Sequence, residues 1–228
     1  MSKRIGILGG ISHASTVRYY EYILKKYYAR RRDYHYPEVV IFSLDLAKLI
    51  GFEERDDLDS YVRYLTSGLQ AMEKAGVDFI VIAANSPHAV FEIVRKRVSI
   101  PMISIVETTA LRAEKLGLKK LLLTGIKSTM QSAFYPDVFE KYSIQVLTPD
   151  EAEQDEINDA IFRELVLGIY KDSTRNRILE ICNVYNVDGI ILGCTELSLM
   201  LNQEDTHLRL LNTLELHAQA ALDFALAE

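Results

Sequence analysis

The chain has 228 residues, 49% hydrophobic and 25% charged, a balance that fits a folded globular protein and excludes a disordered, collagen-like or coiled-coil chain. Lysine and arginine number 26 against 32 aspartates and glutamates, a formal net charge of −6, so no overall attraction draws the chain to nucleic acid. Two cysteines, Cys182 and Cys194, build neither a disulfide framework nor a CxxC metal pair, which fits a reducing compartment.

Lys3 and Arg4 precede a short apolar run, but Gly6, Gly9 and Gly10 interrupt it and Ser12 and His13 close it, so a secretory signal is not expected. No run approaches the roughly 18 apolar residues that cross a bilayer, and a soluble, cytoplasmic protein with no membrane partner is expected. Apolar runs at 4–8, 39–44, 77–84, 101–105, 120–124, 144–147, 187–193 and 208–211 predict strands. They are continuously apolar rather than alternating, as strands are when helices cover both faces of a parallel sheet. After the first run, the segment 25–36 mixes basic and aromatic residues as single-strand binders do; the acidic remainder of the chain favours a solvated helix end or a subunit contact. Tyr19, Tyr20, Tyr22, Tyr27 and Tyr28 would suit a dimer interface. Tyr61, Leu65, Leu69 and Met72 fall at helical spacing, and Gly76 stops that helix. Thr148-Pro149-Asp150-Glu151 predicts a helix start with Thr148 as cap and Pro149 in the first turn. Cys182 sits inside a helical pattern, 178–185, and reads as core. The class is α/β with parallel strands.

One internal comparison carries more than the rest. AGVDFIVIAANS at 75–86 lies over YNVDGIILGCTE at 185–196 with a constant offset of 110, matching Val77-Asp78 to Val187-Asp188. KRIGILGG at 3–10 has a looser counterpart in KKLLLTG at 119–125. Two pseudo-symmetric α/β halves are expected, each a parallel sheet flanked by helices, one formed by 1–104 with 212–228 and the other by 105–211. Ligand groups gather beyond the carboxyl ends of parallel strands, which points to the loops at 9–12, 84–86, 124–129 and 194–196, with the active site expected in the cleft between the halves and addressed from both. The glycine turn gives neither GxGxxG nor GxxxxGK[ST], so a nucleotide is not expected.

The motifs IGILGG at 5–10, NSPH at 85–88, IPMISIVE at 100–107 and GCTE at 193–196 span nearly the whole chain. Together they make it resemble the cofactor-independent aspartate/glutamate racemases, a family that also holds hydantoin racemases and single-cysteine malonate decarboxylases. The resemblance implies a homodimer acting on a small amino acid or dicarboxylate, with no pyridoxal phosphate and no metal. It implies one cysteine per half, a thiolate removing the α-proton from one face and a thiol returning one to the other. Cys194 matches the second cysteine, whereas the first falls on Ala84, which cannot exchange a proton.

The resemblance carries Asn85, Ser86 and Thr195 onto the cradle for the α-carboxylate, and Gly10 and Ser12 onto the first loop, where Ser12 and His13 replace the usual glycine and proline. It carries Thr129 onto the threonine after the second half's first strand, and Lys171, at Gly-x-x-Lys spacing from Gly168, onto the lysine that pairs with an acidic side chain. The arginine usual after the second strand is missing; 42–48 offers only Lys48. Glu196 either orients the site or caps the following helix, and His88 either supports the site or bonds only to backbone. A free amino acid is a weak carbon acid, so Cys194 needs neighbours that lower its pKa if it is to act as a base. On the Ala84 face the proton would come from water, Ser86 or His88. Several accounts stay open: a one-cysteine racemase of an acidic amino acid with impaired or one-directional turnover, which is favoured; an engineered Cys-to-Ala variant; single-cysteine decarboxylation; or an amino-acid binder without turnover.

Overall fold

All eight apolar runs form strands, most of them shorter than the run that signals them. In the computed structural model, which describes residues 2–227, β1 (Ile5–Gly9), β2 (Val39–Ser43), β3 (Phe79–Ile82) and β4 (Met102–Ile103) make one sheet. β5 (Lys120–Thr124), β6 (Gln145–Leu147), β7 (Gly189–Leu192) and β8 (Arg209–Asn212) make a second. Among the described residues the two sheets are four-stranded, parallel throughout and equivalent in order, β2-β1-β3-β4 and β6-β5-β7-β8.

The chain divides into two units, the first running to Ile105 and resuming at His217, the second comprising Val106–Leu216. The first holds α1 (His13–Arg31), α2 (Leu46–Glu54), α3 (Leu58–Lys74), a 3-10 helix (Ser86–Val90) and α4 (Phe91–Val94). The second holds most of α5 (Ile105–Lys115), then α6 (Lys127–Met130), α7 (Phe134–Glu140), α8 (Glu151–Arg163), α9 (Asp172–Asn183) and α10 (Leu197–Met200). The last helix, α11 (Thr213–Leu226), begins in the second unit and returns the chain to the first, where Phe224 packs on Phe79 at a ring separation of 4.7 Å and Lys3 N–H bonds Ala225 O at 2.9 Å.

The central strands β1, β3 and β7 are buried at every residue, as continuous apolar runs require. β2 departs from that expectation because it is a sheet edge: its residues are half-buried or exposed, Ile41 among the exposed. The stripe Tyr61, Leu65, Leu69 and Met72 on α3 is fully turned onto the first sheet, packing in one cluster with Leu8, Ile80 and Ile82. Each such side chain contributes about 1.5–3 kcal/mol of burial. Cys182 lies in the second unit's core with Ile157, Ile178 and Ile190, and burial pushes its thiol up to about 12.

Two expectations need correction. The cap of α8 is Asp150, not Thr148: its carboxylate accepts from Glu153 N–H at 2.9 Å while Glu153 reaches back to Asp150 N–H, and Pro149 precedes this capping box instead of entering the first turn. Tyr19 and Tyr27 are not interface residues of the first unit's surface. Both are buried, and Tyr27 donates to Asp33 at 2.9 Å, leaving Tyr20 and Tyr28 exposed on α1. No helix among the described residues is long and apolar enough to cross a membrane.

The offset of 110 carries Phe79–Ile82 onto Gly189–Leu192 without slippage. The shared Val-Asp that precedes each strand has one job in both units. Asp78 Oδ2 accepts from Arg4 N–H at 2.5 Å, and Asp188 Oδ2 accepts from Lys119 and Lys120 N–H at 2.7 and 2.9 Å. Each aspartate thus ties the start of the unit's first strand to the start of its third, and those two donors hold the Asp188 carboxyl below the usual range. Replacing Asp188 with Ala is expected to cost about 1 kcal/mol, the site being exposed, and to lower the melting temperature by roughly 2–4 °C in differential scanning calorimetry.

Candidate functional site

In the first unit, β1 and β3 are neighbours, and Ala83 N–H bonds Leu8 O at 2.9 Å, so the loops at 9–12 and 83–86 emerge side by side. Gly10 has φ +86°, and a Cβ there would lie 2.2 Å from Leu44 O, so only glycine makes this turn. Its N–H donates to Thr16 Oγ1 at 2.9 Å, and Thr16 Oγ1 donates to Ser12 O at 2.9 Å. Gly10 therefore shapes the loop, while its amide is already engaged.

Ala84 is buried behind the end of β3, and Asn85, also buried, leads into the 3-10 helix that starts at Ser86. His88 holds this loop. Its Nε2 accepts from Ile105 N–H at 3.2 Å, so Nδ1 carries the proton and donates to Ala84 O at 3.0 Å. Burial, helped by neighbouring His217, lowers its pKa to about 3. With both ring nitrogens engaged to backbone, His88 is not a proton source for the Ala84 face. It positions Ala84. His217 makes the companion tie: Nε2–H donates to Ile103 O at 2.9 Å and Nδ1 accepts from Tyr19 O–H at 2.8 Å, with burial lowering its pKa to about 4. The two imidazoles fix Ile103 and Ile105 on either side of Ser104.

Tyr61, on α3, lies near enough to Ser86 and to Glu53, in the last turn of α2, for both to act on its hydroxyl electrostatically. Burial and the adjacent carboxylate push the Tyr61 phenol up, and desolvation raises Glu53. Tyr61 reads in the sequence as one more member of an apolar stripe, and no spacing signal links it to Ser86. His217 and Glu53 carry no motif either.

In the second unit, β5 and β7 are paired and Gly193 N–H bonds Thr124 O at 2.7 Å, so the loops at 125–129 and 193–196 also emerge together. Cys194 is half-buried, and its Sγ–H donates to Glu196 Oε2 at 3.0 Å; Thr195 Oγ1 donates to the same oxygen at 2.9 Å. Glu196 is buried and makes no side-chain cap on α10, so its carboxylate serves Cys194 and Thr195. Burial first, then the Glu196 carboxylate, raise the Cys194 pKa well above the ordinary thiol value. The sequence reading asked for neighbours that lower it; the structure has the reverse, and Cys194 is held as a thiol. Thr129 is buried against this loop, its methyl group 3.5 Å from where a Gly193 Cβ would stand, and its hydroxyl has no partner.

Lys171 lies exposed just before α9 and pairs with Glu164 at 2.7 Å; Glu164 also accepts from Thr174 Oγ1. Lys171 and Thr174 together hold Glu164 below the usual carboxylate range. The cation expected to meet an acidic substrate thus has an internal carboxylate partner that the sequence spacing did not reveal.

The sequence model of the Asp/Glu/hydantoin racemase family matches residues 8–221. This chain belongs to that family. Membership places it among the racemases, a class of isomerase. It is 25% identical to the broad specificity amino-acid racemase RacX of Bacillus subtilis (strain 168), over 98% of both chains. It is also similar to the solved structure of an aspartate racemase homologue from Pyrococcus horikoshii OT3, with a TM-score of 0.86 and 33% identity over 98% of this chain and 99% of that one. The glutamate racemase of Aquifex pyrophilus shares the fold, with a TM-score of 0.65 at 21% identity over 97% of this chain and 83% of that one. The racemase-family fold accounts for the two equivalent sheets and for polar loops at the carboxyl ends of both.

Two predictions follow from the protonation states at the racemase loops. Both buried histidines have folded pKa values below their unfolded 6.5, so the unfolded chain binds more protons than the folded one as pH falls. Their stabilising contribution is complete above pH 6.5 and is lost progressively down to about pH 4 for His217 and about pH 3 for His88. Urea midpoints are expected to fall across this window, and less steeply in His88→Gln. For Cys194, replacing Glu196 with Gln removes the carboxylate that holds the thiol protonated. Alkylation of Cys194 by iodoacetamide at pH 8, read by peptide mass spectrometry, is expected to accelerate about tenfold, while Cys182 stays unreactive.

Proposed function

We propose that the chain is a cofactor-independent racemase of an acidic amino acid, in which Cys194 exchanges the α-proton on one face of the substrate and the loop of Ala84 addresses the other. The observation that carries this reading is the thiol of Cys194, held by Glu196 at the carboxyl end of a buried strand. A raised thiol pKa suits the donating half of the reaction: a carbanion formed at Cα takes the thiol's proton, and the Glu196 carboxylate stands beside the sulfur to carry a proton to or from it. Asn85, Ser86 and Thr195 are the cradle for the α-carboxylate, and Thr129 offers its unpartnered hydroxyl to the same ligand. Gly10 and Ser12 complete the first loop.

Recognition of an acidic side chain rests on Lys171. Its pair with Glu164 is exposed, and exposed pairs contribute about 0–1 kcal/mol, so a substrate carboxylate can displace Glu164 at little cost. A wider substrate range is the second reading. It is favoured by the Glu164 that neutralises Lys171, by the lack of an arginine in 42–48, and by similarity to a broad specificity racemase.

The test is α-proton exchange in D2O followed by proton NMR, with L- and D-aspartate, glutamate and alanine. Exchange is expected with the wild-type chain and lost at least a hundredfold in Cys194→Ser. Ala84→Cys is expected to raise racemisation by at least tenfold. Exchange of the dicarboxylates above alanine supports the acidic preference, equal rates support the wider range, and no exchange with any of the six overturns the racemase reading of this chain.

A further inference from the structure

Resting on the reading that Lys171 meets the side-chain carboxylate of the substrate, we infer that Glu164 sets how far this chain prefers acidic amino acids over uncharged ones. Glu164 occupies the Lys171 ammonium as an internal stand-in for that carboxylate, so a dicarboxylate binds by displacing it and an uncharged amino acid does not. Both oxygens of Glu164 are engaged: Oε1 accepts from Lys171 Nζ at 2.7 Å and Oε2 from Thr174 Oγ1 at 2.5 Å. Among the described residues Glu164 is the one carboxylate paired with Lys171, since neighbouring Asp172 pairs with Arg175 at 3.0 Å.

The backbone of the second unit puts the carboxylate there. Glu164 follows α8, where its N–H bonds Ala160 O at 3.1 Å, and its own carbonyl accepts from Leu167 and Ile169 N–H at 3.0 Å each. The short turn 165–167 and Gly168, at φ +74°, then bend the chain so that Lys171 returns to the residue seven positions earlier. Lys171 precedes α9 and Thr174 lies in its first turn, so one carboxylate receives both sides of that helix start. The Glu164 side chain is 20% exposed against 55% for Lys171. The lysine is therefore the partner that moves and the carboxylate the one that stays. When Nζ turns to a ligand, Thr174 remains on Oε2, and the displaced carboxylate keeps a donor.

The exchange is of like for like. One pair of Lys171 with a carboxylate breaks as another forms, so a dicarboxylate gains less than its extra charge alone would give. Ion pairs with an exposed partner shift an equilibrium by only a few-fold, and that sets the size of the effect. The side-chain carboxylate is remote from Cα, and a contact equal in the ground and transition states moves KM while leaving kcat. An uncharged side chain has no pair to exchange and meets a lysine whose charge is already balanced. Glu164 is a specificity-determining residue with no part in the proton exchange itself.

The test is α-proton exchange in D2O, read by proton NMR, giving KM and kcat for L-glutamate and L-alanine in the wild-type chain and in an Ala84→Cys background. Glu164→Gln keeps the shape of the side chain and removes its charge. It is expected to lower the glutamate KM about threefold, with kcat and the alanine KM each changed less than twofold. Thr174→Val removes the donor that keeps the displaced carboxylate and is expected to act in the opposite direction, raising the glutamate KM about twofold; it carries the test should Glu164→Gln fail to fold. Lys171→Met is expected to raise the glutamate KM at least threefold and to leave alanine within twofold. An unchanged glutamate KM in Glu164→Gln, an equal change for both amino acids, alanine exchange without glutamate exchange in that variant, or a glutamate KM that Lys171→Met does not move overturns the role of Glu164 and leaves the racemase reading in place. A wild-type chain and an Ala84→Cys variant that both exchange neither amino acid overturn the two together.

Discussion

The hydrogen bond from the Cys194 thiol to the Glu196 carboxylate sets the terms for the rest of the chemistry. A carboxylate that accepts from a sulfur stabilises the thiol and opposes the thiolate, because the two negative charges would stand 3.0 Å apart in a partly dehydrated site. Cys194 is therefore held as a thiol.

The two units have one frame and different fillings. Identical strand orders, an exact residue offset between β3 and β7, and matched aspartate ties at Asp78 and Asp188 describe a duplicated scaffold. Onto it the first unit places His88 and His217, which grip backbone at Ala84, Ile103 and Ile105. The second unit places Glu196 against a sulfur. Polar residues in the first unit's loop thus hold the backbone, while those in the second unit's loop set the charge state of a reactive atom.

The fold was legible because its strands are parallel and covered, so burial appears as unbroken apolar runs that need no partner to be recognised. The edge strand β2 and the cap of α8 were less legible: exposure at a sheet edge depends on topology, and several cap-forming residues stood together at 148–151. Cys194, Ala84 and Thr129 were singled out by the repeat and the family motifs, whereas their polar neighbours in the structure carried no such signal. Tyr61 occupies a helical position where its ring satisfies the apolar stripe, and only the fold brings it near Ser86 and Glu53. Glu164 reaches Lys171 from seven residues away across a bend between helices, a pairing without a periodic signature. Periodicity encodes which way a side chain faces, and not which polar atom it meets there.

The second unit is one unbroken stretch of chain, whereas the first is completed only by the residues that follow Leu216. On the ribosome this imposes an order: Val106–Leu216 can collapse as soon as it emerges, while the sheet made first must wait for the end of α11, whose Ala225 carbonyl receives Lys3 N–H and whose Phe224 covers Phe79. The half that is translated earliest is the last to be sealed, and until then the apolar surface around Phe79 stays open to chaperones.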